Sequence, residues 1–338
     1  MDIRLLDASD PEALAAWHAT YLAADVYQRP DAAPWQLEEM RADLTQPRTG
    51  ETFTAFAGVD DGEVVCCGLL VLPLKDNLEL AGVRVWTRPQ SRRRGHGTAM
   101  LGRVVAEAAE AGRTTLMAET HVPFDAPEDG AGHPDADFGY RRGFGFDLCD
   151  IVRVLRLPVD EERLSVLAAE AAPHYASDYM LRQFAGPVPD DIVEDFGTLV
   201  GSLMVEAPSG EVTLEREILD EERIRADEAV FAAAGRSKYT TVAVDTDGAP
   251  VAYSELVVPA HDPDVVYQWG TLVHPDHRGH RLGMATKVAN LQWVQREAPE
   301  RRRAYTMNAE VNALMIGINE TLGFEPVERH VSLHRRLT

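Results

Sequence analysis

Two loops in this 338-residue chain combine arginine and glycine in a pattern that suits one kind of chemistry, the gripping of a phosphate group. The first reads Arg92-Arg93-Arg94-Gly95-His96-Gly97-Thr98 and the second Arg278-Gly279-His280-Arg281-Leu282-Gly283-Met284. Each follows a β-prone run that stops at a proline, Pro89 or Pro275, and each leads into apolar residues at helical spacing. A turn that opens a helix leaves backbone N–H groups unpaired at the positive end of the helix dipole, where an anion is favoured. Glycine lets the backbone approach that anion closely. Guanidinium groups add charge-assisted, bidentate hydrogen bonds to phosphate oxygens.

The frames that carry the two loops must be equivalent, because their spacing is constant. Arg92 and Arg278 are 186 residues apart (278 − 92 = 186), as are Gly97 and Gly283, Pro89 and Pro275, and the turns Asp61-Gly62 and Asp247-Gly248. The register holds without a gap from turn to loop, so the chain is a domain duplication. The first copy reads as a strand at 3–6, helices from Asp10-Pro11 and over 35–44, a hairpin over 52–72, a central strand at 78–85 and a helix at 98–111. A strand at 114–119, a short helix near 135–142 and a last strand at 146–157 follow, and the second copy repeats the plan from Tyr179 to a closing strand at 324–337. The predicted organisation is an N-terminal domain over 1–158, a linker helix over 159–176 and a C-terminal domain over 177–338, each α/β with a mixed sheet.

Composition narrows the partners. With 33 Lys+Arg against 55 Asp+Glu the net charge is −22, which repels nucleic-acid backbones and anionic membranes and suits a cationic small molecule. The start, Met1-Asp-Ile-Arg-Leu-Leu-Asp, has neither a basic region nor a long apolar core, so no secretory leader is expected. The longest apolar run, 64–72, is too short to span a bilayer. Cys66, Cys67 and Cys149 show no metal or disulfide spacing and read as buried thiols of a cytoplasmic protein. His274, His277 and His280 recur on the second loop without a second ligand cluster, so no metal is expected.

Taken together, these motifs resemble the GCN5-related N-acetyltransferase (GNAT) superfamily, in particular its tandem, two-domain members. The family's acyl-CoA loop, Arg/Gln-x-x-Gly-x-Gly/Ala, is met in full by Arg92-x-x-Gly95-x-Gly97, whereas Arg278-x-x-Arg281-x-Gly283 has arginine at the first glycine. The family's Gly-Phe pair occurs as Gly143-Phe144 and Gly323-Phe324, and Asn308-Ala-Glu-Val-Asn312 with Asn319 looks like the signature of one tandem subgroup. The resemblance implies acetyl-CoA as donor, held by the two loops and by Val85, Thr87, Leu272, Val273, Asn308 and Asn312, and a small primary amine as acceptor. Similar tandem proteins suggest aminated sugars, cyclitols or peptide α-amines. No nucleic acid, membrane or metal is implied, and the oligomeric state is open between monomer and homodimer.

The residues that would do the chemistry favour the C-terminal half. Glu255 interrupts the apolar strand Val251-Ala-Tyr-Ser-Glu-Leu-Val-Val258 and is the expected general base, since a carboxylate in such a strand is costly unless paired or functional. Its counterpart in the first half is Leu69 (255 − 186 = 69). Tyr253 shares its strand face and is the expected substrate contact. Many family members place a tyrosine acid four residues before Gly-Phe, but those positions are Gly139 and Asn319 here, and Tyr140 is one place off. Asn319 is the expected partner for the leaving sulfur. The alternative reading is a non-catalytic acyl-CoA sensor or scaffold; a dinucleotide-binding oxidoreductase is disfavoured because the glycines follow Arg-x-x.

Overall fold

The computed structural model describes residues 1–208 and 210–337. In chain order the first elements are β1 (Asp2–Leu5), α1 (Pro11–Asp25), α2 (Leu37–Thr45), β2 (Glu51–Asp60), β3 (Glu63–Pro73), β4 (Leu80–Thr87), α3 (His96–Glu110), β5 (Thr115–Pro123), α4 (Pro134–Tyr140) and β6 (Gly145–Arg156). They continue with α5 (Glu161–Ala171), β7 (Met180–Ala185), α6 (Val193–Gly201), α7 (Leu203–Glu206), α8 (Glu221–Ala233), β8 (Arg236–Val244) and β9 (Pro250–Pro259). The last are β10 (Val265–Val273), α9 (Leu282–Glu297), β11 (Arg303–Ala309), α10 (Ala313–Leu322) and β12 (Glu325–Arg336).

Local chemistry accounts for these elements. Asp10 accepts hydrogen bonds from the Glu12 and Ala13 N–H groups, at 2.9 and 3.2 Å, and so caps α1 just ahead of Pro11. The β2–β3 turn needs two residues at positive φ, which Asp61 (50°) and Gly62 (84°) supply. Gly323 ends α10 at φ 100°, a left-handed cap that glycine adopts without strain.

Two compact units emerge, and they cut across the halves expected from the repeat. The first comprises residues 1–150, 210–213 and 328–337, and the second 151–208 and 214–327. The sheet of the first runs β1-β2-β3-β4-β5-β12, and that of the second β6-β11-β10-β9-β8-β7. The closing strands are thus exchanged: β12, from the end of the chain, pairs antiparallel with β5 from Glu328↔Pro123 to Arg336↔Thr115. Burial explains why the exchange holds. Val331 and Leu333 of β12 lie in the first unit's core, with Leu70, Val83 and Leu116 beneath Met100 and Val104 of α3. Leu155 of β6 lies in the second unit's core with Leu256, Val266, Val288 and Leu291.

In each unit helices cover both sheet faces. Trp17 and Tyr21 of α1 and Met40 of α2 pack on Cys67 and Leu69, opposite the face taken by α3. In the second unit α9 and α5 take one face, and Phe196 and Ile224 of α6 and α8 take the other over Val242, Tyr253 and Leu272.

Candidate active site

Each unit carries the same opening, made by two parallel strands that part company. β4 pairs with β5 only at Leu80↔Thr115, Ala81↔Leu116 and Gly82↔Met117. β10 pairs with β11 only at Val265↔Arg303, Val266↔Ala304 and Tyr267↔Tyr305. Beyond those points the backbone groups on the facing edges have no ladder partner among the described residues, and such an edge can take an extended ligand as an added strand. The loops predicted to grip phosphate lie where β4 and β10 end.

The two loops share one backbone shape despite their different residues. Positive φ falls on Arg93 (64°) and Gly95 (86°) in the first and on Gly279 (90°) and Arg281 (52°) in the second, so glycine has changed places while the turn has not. Arg92 and Arg278 hold their strand ends alike, each Nε lying 3.4 Å from a carbonyl oxygen, that of Thr87 or Val273. Arg92 also reaches Asp135 at 3.4 Å, and Arg278 reaches Glu206 at 2.9 Å. At Gly97 a Cβ would come within 3.2 Å of the Thr87 Oγ1 and 3.3 Å of the Phe138 ring; at Gly283 it would meet Ile318 at 3.2 Å. These glycines therefore keep the first turn of α3 and α9 close to the strand end. Arg94, Gly95 and Thr98 are exposed, His96 is buried beside Asp60, and Thr98 bonds to Arg142. On the second loop His280 Nδ1 lies 3.2 Å from the His174 carbonyl and Arg281 donates to that of Glu170 at 3.3 Å, while Leu282 and Met284 face the core. His277 lies 3.0 Å from the Tyr179 hydroxyl.

Glu255 is 6 % exposed and its Oε1 lies 2.9 Å from the Lys238 Nζ on β8. Tyr253, on the same face, is fully buried, 5.5 Å centroid to centroid from Phe196, and burial raises its hydroxyl well above the usual tyrosine range. Its ring lies against Gly270, where a Cβ would sit 2.5 Å from the phenol oxygen. There β10 bulges between Gln268 and Thr271, and the Gln268 amide donates to the Glu255 carbonyl at 2.8 Å. Asn308 Oδ1 accepts from Arg153 and Asn319, both at 3.1 Å, while the Asn312 side chain caps α10 by accepting from the Met315 N–H at 3.2 Å. Asn308, Asn319 and Arg153 are thus one cluster, with Glu255 in a separate pair. In the first unit Val85 packs towards α3, and Tyr140 donates its hydroxyl to the Asp129 carbonyl at 2.5 Å.

A charged cluster that the motifs did not single out lies beside the first opening. Arg84 Nε on β4 donates to Glu119 Oε1 on β5 at 2.6 Å. The other Glu119 oxygen lies 3.4 Å from His330 Nε2 on β12, whose Nδ1 is 3.8 Å from Asp150. Two residues along, His121 Nδ1 lies 3.0 Å from Glu328 Oε1, and Arg29 donates to both Glu328 oxygens at 2.7 and 2.9 Å. Burial opposes the charge on His330, but the facing carboxylates of Asp150 and Glu119 outweigh that and lift it to about 9. Burial likewise opposes the charge on Glu328, yet Arg29 and His121 bring it down to about 2. The one available sequence signal was the same Glu-x-His spacing in two strand-like stretches, Glu119-Thr-His121 and Glu328-Arg-His330, each flanked by apolar residues.

The comparisons agree with this architecture. Residues 15–128 match the model of the acetyltransferase (GNAT) family. A tandem GNAT protein from the clavulanic acid biosynthesis pathway, solved without AcCoA, superposes with TM-score 0.79 at 28 % identity over 99 % of this chain and 98 % of its own. A GCN5-related N-acetyltransferase from Sphaerobacter thermophilus gives 0.62 at 16 % over 99 % and 95 %, and a putative acetyltransferase from Pyrococcus horikoshii 0.53 at 12 % over 100 % and 89 %. These last two show the fold alone. No curated protein sequence matches the chain. Residues 15–128 are thus a GNAT-family domain, and the chain as a whole shares the architecture of a tandem, two-domain GNAT protein, a family that supports an acyltransferase reading.

Proposed function

We propose that the protein is an acetyl-CoA-dependent N-acetyltransferase that acetylates the primary amine of a small molecule by direct attack, with the second half catalytic. The observation that carries this reading is the coincidence, in both units, of a free strand edge with a helix-opening loop of one backbone shape. The loop N–H groups and Arg93, Arg94 and Arg281 would hold the CoA diphosphate, and the edges of β4 and β10 the pantetheine arm. The donor supplies an electrophilic carbonyl carbon and a thiolate leaving group. In the second unit Glu255 would take the amine proton, a backbone N–H near Leu272 and Val273 would bind the developing oxyanion, and Asn319 would steady the sulfur.

The chain's negative charge supports a cationic acceptor, and its buried free thiols suit a cytoplasmic setting. The test is release of free CoA from acetyl-CoA with a panel of aminated sugars, cyclitols and peptides. Turnover with at least one amine is expected. Stoichiometric binding of acetyl-CoA with no turnover would instead support the sensor reading, which the Glu255–Lys238 pair favours.

A further inference from the structure

We infer that the first unit is an acyl-transfer site in its own right, in which His121 Nε2 takes the acceptor's proton and Glu328 is the residue that positions the His121 ring. This rests on the acyltransferase reading but differs from it in the residues and the half of the chain that act.

Geometry carries the inference. His121 lies on β5 beyond Met117, its last residue paired with β4, so it borders the opening in which a thioester would be held. Its Nδ1 is buried and lies 3.0 Å from Glu328 Oε1, close enough for a charge contact though not aligned as a hydrogen bond. Glu328 is clamped by Arg29, so its carboxylate can only accept, and its charge 3.0 Å from Nδ1 favours the hydrogen on that nitrogen. That tautomer leaves the Nε2 lone pair free, and no hydrogen bond occupies it among the described residues. A carboxylate fixing one ring nitrogen so that the other can accept a proton is the arrangement general-base catalysis needs.

The surroundings keep the ring neutral. Burial is the main cause holding His121 below the ordinary histidine range; the Glu328 carboxylate opposes it, and the charges of His330 and Arg29 add to it. The groups facing this region are Glu119 on β5, Glu328 and His330 on β12, Arg84 on β4, Asp25 and Arg29 at and after the end of α1, and Asp150 on β6. The ring of His330 lies 4.8 Å from that of His121 and carries the positive charge of the pair.

The step balances within these groups. The amine nitrogen attacks the thioester carbonyl carbon, an N–C bond forms, the C–S bond breaks and its electron pair leaves on sulfur. The nitrogen's proton passes to His121 Nε2 and from there to the thiolate, which restores the neutral ring. His121 is therefore both acceptor and donor, which answers the lack of a tyrosine at position 139.

The experiment uses the full chain. In an E255Q background, which silences the proposed base of the second half, CoA release from acetyl-CoA with the amine panel should persist, and adding H121Q should lower it at least about 100-fold. E328Q should move the acid limb of the pH–rate profile to lower pH, because the carboxylate that favours the imidazolium is gone; a merely structural role would not move it. Imidazole nitrogen NMR, with His121 assigned through H121Q, should show a neutral Nδ1–H ring at pH 7 in the resting protein. Melting curves identify any variant that fails to fold, and the NMR result on the unaltered chain stands without them. An Nε2–H tautomer or an imidazolium at pH 7 overturns the inference, as does turnover that H121Q leaves unchanged. Absence of turnover in the unaltered chain, by contrast, defeats the acyltransferase reading itself.

Discussion

The Arg84 guanidinium donates to the Glu119 carboxylate at 2.6 Å, joining β4 to β5 just past the point where the two strands cease to pair. The stations that correspond in the second unit are Gly270 and Asn308, which cannot form an ion pair. The two copies therefore keep a common opening and line it with different chemistry, charged in the first unit and mostly amide in the second.

That charged cluster makes stability depend on pH in a defined direction. His330 is raised to about 9 from 6.5, so its contribution is complete below 6.5 and lost as pH rises through about 9. Glu328 is lowered to about 2 from 4.5, so its contribution is present above 4.5 and lost as pH falls through about 2. For these two groups the contribution to melting temperature should be greatest between about pH 5 and 6.5 and fall on both sides. Glu119→Gln should bring the alkaline fall to lower pH, since one of the two carboxylates that hold the His330 proton is then neutral. An alkaline limb that does not move would count against the cluster.

The loops offer a paired test of backbone strain. Arg281 holds φ 52° at a place where Gly95 holds 86°, and a side chain at such a φ costs about 1 kcal/mol. Arg281→Gly should raise stability by roughly that amount less the loss of an exposed 3.3 Å bond to Glu170, and Gly95→Ala should lower it by about 1 kcal/mol. Denaturant midpoints at unchanged slope would report both.

Exchange of the closing strands predicts that a change at the chain's end weakens the first unit. Leu333 is 3 % exposed in the core formed with Leu70, Val83 and Leu116. Leu333→Ala should cost about 2–5 kcal/mol. Hydrogen exchange should then speed up in β5 and α3 and stay unchanged in α9 and β9; the reverse pattern would contradict the exchange.

With the first unit disabled by H121Q, Glu255→Gln should lower the remaining CoA release by about 100-fold if the carboxylate takes the acceptor's proton. Gln keeps the volume and a polar oxygen beside Lys238, so the melting temperature should change little. Rates within twofold of the H121Q chain would leave Glu255 with the structural role its Lys238 partner suggests.

Much of this was legible in the sequence, and the failures have physical causes. The glycine-arginine loops, the hairpin turns and the helix starts are set by local chemistry, and they formed where residues such as Asp10, Gly62 and Gly323 placed them. The destination of β6 and β12 was not legible, because duplicated halves give two closing strands of the same alternating pattern and either sheet edge can bury them. Glu119, His121, Glu328 and His330 escaped notice because Glu328 and His330 stand some 200 residues from their partners. Only the exchanged strand brings them beside β5. Glu255 was conspicuous in its strand, but Lys238, 17 places earlier (255 − 238 = 17), carried no signal that it would lie 2.9 Å away.

The central claim is that these loops and free strand edges hold an acyl thioester. Calorimetric titration of the full chain with acetyl-CoA measures this directly. Saturable binding, weakened several-fold when Gly97 or Gly283 is replaced by valine to crowd the start of α3 or α9, is the expected result. No detectable binding to the folded protein, or binding that neither replacement alters, would contradict it.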